Sequence, residues 1–296
     1  MSVLIQDLTF TYPRNLHPTL DAVNMHLEDG KVTALIGPNG AGKSTLFKCI
    51  TGFLKPSQGT ISLGQPGLEL DAASVAQVFQ SEQGFEHIKV EEWVLFNALL
   101  KEYSLTSQEK VTIINSAGLK GKEQRIFSTL SGGEQRKLNL QCALIGDPKL
   151  LILDEPTVGL DQQARSDYWD EISAYKIHQN GAILFTTHLM EEVERYSDYI
   201  YAISSGQTMA EGTTRQLIEK TGASLVAEIN PADSNVLEDF PGKRYADDGK
   251  IYLYVDDEKN FFKSCGAPEQ LILSGVRLRK PDITDVFRFL FKEHED

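Results

Sequence analysis

Cysteine is scarce in this chain, with Cys49, Cys142 and Cys265 far apart and in no metal-ligand or redox spacing. That excludes a zinc-type framework and leaves reduced core thiols, as expected of a cytosolic protein. No apolar run approaches the roughly 20 residues that cross a bilayer, so no membrane span is expected. Positive charge is also in short supply: 29 Lys and Arg against 42 Asp and Glu give a formal net charge of −13. A nucleic-acid-binding surface needs a clustered excess of basic residues, so nucleic acid is not an expected partner. The opening MSVLIQDLTF has neither a basic segment nor a cleavage site and is not expected to be a signal peptide. Coiled-coil heptads are missing as well. What remains is an ordinary globular composition, 41% apolar and 24% charged, over 296 residues. That length accommodates one large α/β domain and one small one.

The most specific stretch present is GPNGAGKST, Gly37 to Thr45. Lys31 to Ile36 before it reads as a short buried strand and Lys43 to Thr51 after it as a helix, so the glycines sit at a strand-to-helix turn. This is the context of a phosphate-binding loop. Gly37, Gly40 and Gly42, with Asn39 between them, let backbone N–H groups approach phosphate oxygens at the positive end of the helix dipole. Lys43 is placed to reach the β and γ phosphates of a nucleotide, and Ser44, followed by Thr45, offers a hydroxyl to Mg²⁺. A bare glycine turn has no use for both a lysine and a hydroxyl at those positions.

The flanking pattern is that of a mainly parallel sheet. Strands are predicted at Val3 to Ile5, at an alternating Leu8, Phe10, Tyr12 edge, and at Val32 to Ile36, Thr60 to Leu63 and Val75 to Phe79. From Val90 to Leu119 the period becomes helical, with Trp93, Phe96, Leu99, Leu100 and Tyr103 as an apolar stripe assigned to subdomain core. Strands at Leu150 to Leu153, Ala182 to Phe185 and Tyr199 to Ser204 then alternate with helices at Gln162 to Gln179 and Met190 to Tyr196. The domain division expected is 1–220, with a helical insert at about 90–145, and 221–296. In the second part strands at Ser224 to Ile229, Ile251 to Val255 and Val276 to Arg279, and helices near Asn235 to Phe240, Glu258 to Cys265 and Ile283 to Phe291, suggest a small α+β unit of split-βαβ type.

Two further segments carry chemistry. LLILDEP, Leu150 to Pro156, puts consecutive carboxylates at the end of a buried strand, where a parallel sheet presents its ligand site. Asp154 suits Mg²⁺, and Glu155 suits alignment and deprotonation of a water attacking the γ phosphate. Capping of the following helix is the other use for such a pair. In LSGGEQRK, Leu130 to Lys137, Ser131 and Glu134 have capping-box spacing, while Gly132 and Gly133 let a helix N-terminus approach an anion.

That second segment resembles the signature of the ATP-binding cassette family, and the rest of the chain from residue 3 to about 220 follows that family's motif order. Tyr12 resembles the aromatic that stacks on adenine, although packing on an edge strand also explains it. Gln80 resembles the Q-loop glutamine near Mg²⁺ and the attacking water, and Val158 to Asp161 resembles the D-loop. His188, after Phe185-Thr-Thr, resembles the switch histidine that contacts the γ phosphate. The resemblance implies an α/β fold: a P-loop NTPase core of mainly parallel sheet with antiparallel edge strands and a helical signature subdomain. It also implies ATP and Mg²⁺ as cofactors, with Ser44, Gln80 and Asp154 at the metal. Catalysis would fall to Glu155, His188 and Gln80, while Ser131, Gly132, Gly133 and Asp161 would face nucleotide across a dimer. The partner is then a second copy or a similar ATPase subunit, plus a polytopic membrane permease, with the chain peripheral on the inner face of the cell membrane. A groove lined by residues around Gln80 to Val90 and the Trp93 helix is the permease contact the resemblance implies, with Phe85 and His87 as candidate contacts that a solvent-exposed loop also explains.

Lys280-Pro-Asp-Ile-Thr-Asp-Val-Phe-Arg-Phe-Leu290 resembles the closing segment of ABC-2 type drug-, antibiotic- and polysaccharide-export ATPases, and packing of its apolar face explains it equally well. Two functions follow: the ATPase of a membrane exporter, or a soluble cassette ATPase that remodels a protein or assembly complex.

Overall fold

The computed structural model describes residues 2–64, 70–71, 74–78, 87–179, 181–230, 243–273 and 275–291. Two compact units divide between Met209 and Ala210. The first opens with strands Val3–Phe10 (β1), Leu20–Leu27 (β2) and Val32–Ile36 (β3), helix Lys43–Ile50 (α1), and strands Gln58–Leu63 (β4) and Val75–Val78 (β5). Helices Val90–Leu100 (α2), Ser107–Ser116 (α3) and Gly132–Ala143 (α4) follow. The chain then returns to strand Leu150–Asp154 (β6), helix Gln162–Gln179 (α5), strand Ala182–Thr186 (β7), helix Met190–Tyr196 (α6) and strands Tyr199–Ser204 (β8) and Gln207–Gly212 (β9).

β3 and β7 are buried at every position, and β6 at every position but Asp154, as uninterrupted apolar runs in a doubly covered parallel sheet must be. They lie adjacent in a six-stranded sheet of order β5-β6-β7-β3-β8-β9, in which β5, β6, β7, β3 and β8 pair in parallel. A separate antiparallel sheet, β2-β1-β4, packs through Val3, Ile5, Leu8 and Leu27 into one core with Leu46 and Phe47 of α1 and Leu150, Ile152 and Leu184 of the parallel sheet. α2, α3 and α4 enclose a second core around Val94, Ile114, Phe127 and Leu138. Its polar tie is the indole N–H of Trp93, which donates to Asn139 Oδ1 at 2.8 Å.

Several expectations need correction. The stretch Val3 to Tyr12 is one strand ending at Phe10; it reads as two because Gln6 and Asp7 are both exposed at a bulge, with Asp7 at φ 48°. Tyr12 lies beyond it. β2 was not predicted, although Val23, Met25 and Leu27 alternate inward along it. The apolar stripe of α2 divides: Trp93 is buried, whereas Leu99 and Leu100 at the helix end are 72% and 66% exposed and Tyr103 is 40% exposed. β9 was also unforeseen. Phe79, Gln80 and Phe85 lie outside the described residues, and His87 is exposed.

The second unit holds helix Thr214–Lys220 (α7), strands Leu225–Ile229 (β10), Lys243–Asp247 (β11) and Lys250–Val255 (β12), helices Glu258–Cys265 (α8) and Pro268–Leu273 (α9), strand Arg277–Arg279 (β13) and helix Ile283–Phe291 (α10). Its strands form an antiparallel sheet of order β11-β12-β10-β13, with α8 and α9 joining β12 to β13. That is the strand, strand, helix, strand half of a split-βαβ unit; the helix expected near Asn235 to Phe240 lies outside the described residues. β11, short and exposed, and α9 were not predicted. One sheet face packs Leu225, Ala227, Leu253 and Val255 against Phe261 and Leu271. α10 is tied to Tyr252 and Tyr254 of β12 by a buried ion network. Asp285, fully buried, accepts two hydrogen bonds from Arg279 (2.6 and 2.9 Å), one from Arg288 (2.9 Å) and one from the Tyr254 hydroxyl (2.9 Å). Arg288 also donates to Asp247 at 2.7 Å and lies 3.8 Å above the Tyr252 ring. Burial opposes ionisation of Asp285, but the Arg279 guanidinium and the Asp282 N–H more than offset it and hold the carboxyl below the usual range.

Candidate functional site

In the order β6-β7-β3, three parallel strands present their C-terminal ends side by side, where an open α/β sheet offers space to a ligand. From β3 the chain turns through Gly37 to Gly42 into α1. Gly42 is the N-cap at φ 106°, and no side chain caps the helix, so its first N–H groups are left for a ligand. A Cβ on Gly42 would come within 2.9 Å of Thr19 O, and one on Gly37 within 2.1 Å of Ile203 O, so the close backbone approach excludes any larger residue.

Lys43 Nζ donates to the carbonyl oxygens of Gly37 (2.6 Å) and Pro38 (2.9 Å), folding the side chain back over the loop. Burial pushes the Lys43 pKa down, and the nearby charges of Glu155 and Asp154 oppose that shift. A cleft of about 300 Å³ runs along Asn39 to Thr45 and is closed by Asp154 and Glu155, with Thr19 at its rim. The Tyr12 hydroxyl shares a 3.3 Å hydrogen bond with Thr45 Oγ1, while its ring packs edge-on against Phe10 at 4.9 Å.

β6 and β7 supply the acidic side. Their parallel register pairs Asp154 with Thr186. The Thr186 hydroxyl, buried, donates to Asp154 Oδ1 at 2.7 Å. The Glu155 N–H is shared between Thr186 Oγ1 (3.1 Å) and Thr186 O (3.2 Å). Those bonds fix Glu155 in the left-handed region, φ 49°, a strained conformation for a glutamate. Two residues beyond β7, His188 Nε2 lies 2.6 Å from Glu155 Oε1. The motif residues of loop, strand β6 and strand β7 are thus drawn together at one cleft. Thr186 was not among the predicted residues; the signal was the hydroxyl two positions before His188, but its partner is set only by strand register.

The donor set at the cleft fits Mg²⁺. Ser44 and Asp154 both line it, and both offer hard oxygen. Among the described residues no cluster of three or more His, Cys, Asp or Glu forms a metal cage. A cation held by one carboxylate and completed by phosphate oxygens and water needs none.

The other predicted nucleotide contacts do not line this cleft. Ser131 caps α4 in a complete capping box: its hydroxyl accepts from the Glu134 N–H (3.3 Å), and Glu134 accepts from the Ser131 N–H (2.8 Å). The Lys122 ammonium and the Ser131 N–H hold the Glu134 carboxyl down to about 2. A Cβ on Gly132 would meet nothing within 4 Å, and one on Gly133 only ordinary contacts with Leu160 and Ala164. Internal packing therefore does not demand the glycine pair. Asp161 accepts from the Ala164 N–H at 2.8 Å at the start of α5. Gln80 lies outside the described residues.

The profile of the ABC transporter family matches residues 20–158. Nod factor export ATP-binding protein I of Rhizobium leguminosarum bv. viciae is 34% identical over 301 residues, covering 96% of this chain and 89% of the relative. The retinal-specific phospholipid-transporting ATPase ABCA4 of Mus musculus is 34% identical over 217 residues, 71% of this chain but 9% of that much longer protein. Among solved structures, an ATP-binding subunit of an ABC transporter superposes with a TM-score of 0.66 at 28% identity, covering 75% of this chain and 94% of that one.

Proposed function

We propose, for a chain that belongs to the ABC transporter family as an ATP-binding, ATP-hydrolysing transport subunit, that the cleft along Asn39 to Thr45 is one half of a composite hydrolytic site. The observation that carries this reading is the meeting of three strand ends, with Glu155 2.6 Å from His188 beside the Lys43 loop. In it the loop N–H groups and Lys43 hold the phosphates, and Tyr12 takes the adenine side. Ser44 and Asp154, with Gln80, hold Mg²⁺, which when bound neutralises developing phosphate charge. Glu155 accepts the proton of the attacking water. His188 donates from Nε2 to Glu155 Oε1 and keeps Glu155 oriented until a bound γ phosphate takes that N–H. Ser131, Gly132, Gly133 and Asp161 serve the cleft of a second subunit, in keeping with glycines that their own chain does not require. Residues 1–220, the compact first unit with the end of β9 and α7 added, form this motor and 221–296 an accessory domain.

No described helix is long and apolar enough to cross a membrane, and a separate polytopic permease supplies the path. The exposed Leu95, Leu99 and Leu100 of α2 and the exposed His87 before it are its contact, which seats the chain on the cytoplasmic side of the membrane. Relatives named for Nod factor export and phospholipid transport support export of a drug-, antibiotic-, lipid- or polysaccharide-like substrate.

The test uses a tagged Glu155→Gln chain. ATP binding is expected to persist while turnover falls by about 10²- to 10⁴-fold, the usual loss on removing a general base. Purified with ATP from its native membranes, the variant should bring a polytopic membrane protein with it, identified by mass spectrometry. Near-normal turnover would remove Glu155 from the role, and recovery of soluble partners alone would turn the reading toward a remodelling ATPase.

A further inference from the structure

Beyond Asp154 and Thr186 the parallel register of β6 and β7 stops, yet the two side chains that meet at 2.6 Å, Glu155 and His188, both lie past that point. A carboxylate on α6 takes over there. Glu192 is 2% exposed, and its two oxygens face different segments. Oε1 accepts from the Thr157 hydroxyl (2.5 Å), two residues after Glu155, and from the Trp169 indole N–H (3.3 Å), with Arg165 Nε at 3.6 Å. Oε2 accepts from the Thr187 hydroxyl (2.7 Å), directly before His188. Thr187 Oγ1 in turn accepts from the Leu189 N–H (3.1 Å), closing the turn around His188. Thr157 and Thr187 are themselves buried. Trp169 is locked in place, stacked on Tyr196 at 4.4 Å and edge-on to Phe185 at 4.9 Å.

We infer that Glu192 is a positioning residue for ATP hydrolysis: it joins the segment after Glu155 to the segment before His188, so that the two loops hold one relative position. The inference rests on the roles assigned above to Glu155 and His188. A buried carboxylate held by three donors from three segments is rigid, because releasing any of them leaves an unpaired group inside the protein. Nothing in a generic helix start calls for a glutamate at this depth; Glu191, one residue earlier on the same helix, lies nearer solvent. A misplacement of about 1 Å at a reacting centre costs on the order of 10²-fold in rate, which sets the scale of effect for loss of the link.

The test compares Thr187→Val, nearly isosteric and lacking only the hydroxyl, with Glu192→Ala and Glu192→Gln in the full chain, beside Glu155→Gln and His188→Ala. Steady-state ATPase rates and nucleotide binding are read for each. Thr187→Val and Glu192→Ala should lower kcat by about tenfold or more while KM stays within about threefold, as expected when geometry and not binding is lost. Glu192→Gln, which still accepts from one threonine, should recover part of that loss. Full turnover in Thr187→Val, or a fall in kcat matched by an equal loss of nucleotide binding, overturns the inference while Glu155→Gln and His188→Ala remain inactive. Wild-type turnover in Glu155→Gln and His188→Ala instead overturns the site assignment, and the inference falls with it. Should Glu192→Ala not fold, Thr187→Val decides alone.

Discussion

Lys43 spends its charge on two carbonyls of its own loop, Gly37 O and Pro38 O. The loop is therefore held in its turned shape before any phosphate arrives, and phosphate oxygens enter a half-buried ammonium's reach instead of building one. Replacing Lys43 with Ala removes both the phosphate contact and the internal brace, so Lys43→Ala should weaken ATP binding itself; equilibrium binding of a fluorescent nucleotide should show a Kd at least about tenfold higher, as for loss of a charge-assisted contact. This contrasts with Glu155→Gln, in which binding survives. Lys43, Asp154, Glu155 and His188 were legible because each sits in a short run whose order is its own signal. Thr186 and Glu192 were not, because a threonine or glutamate acquires its meaning here from a partner more than thirty residues away in sequence.

At the level of elements, α4 shows how a helix start is engineered for exposure and stability together. Ser131 and Glu134 satisfy each other's backbone groups, Lys122 pairs with Glu134, and the glycines between stay uncovered. Since the folded Glu134 carboxyl is held down to about 2 against an ordinary 4.5, its contribution is present above pH 4.5 and lost as pH falls toward 2. The stability gap between wild type and Glu134→Gln, measured by urea unfolding, should therefore be constant above about pH 5 and close between pH 4.5 and 2; a gap independent of pH over that window would show that the ion pair contributes nothing. The five parallel strands of the six-stranded sheet are readable from apolar runs, α5, α6 and α10 from their helical pattern, and the start of α4 from its capping-box spacing. β1 was split in the reading by its Asp7 bulge, and Leu99 and Leu100 were assigned inward because periodicity marks a face without saying where along the helix the covering partner ends.

On the scale of the whole molecule, the nucleotide cleft and the signature helix of one chain do not meet at a shared site: the cleft is lined by Asn39 to Thr45, Asp154 and Glu155, and not by Ser131 to Gly133. A site completed by a second chain makes turnover depend on association, so ATPase activity per subunit should fall as the protein is diluted and recover on concentration. A rate per subunit unchanged over a hundredfold dilution (roughly two decades around the dimer Kd) would contradict the composite site. The charge of −13 leaves long-range attraction little part in that association. The second unit carries a different lesson. Asp285 lies in the segment Lys280 to Leu290 by which this chain resembles export ATPases, yet its hydrogen bonds go to Arg279, Arg288, Tyr254 and the Asp282 N–H, all within its own unit. The tail motif thus works as a mason's keystone and not as a shipping label: it sorts proteins by how their last helix is fastened, and two carriers of unlike freight that share it need have nothing more in common than the same joinery.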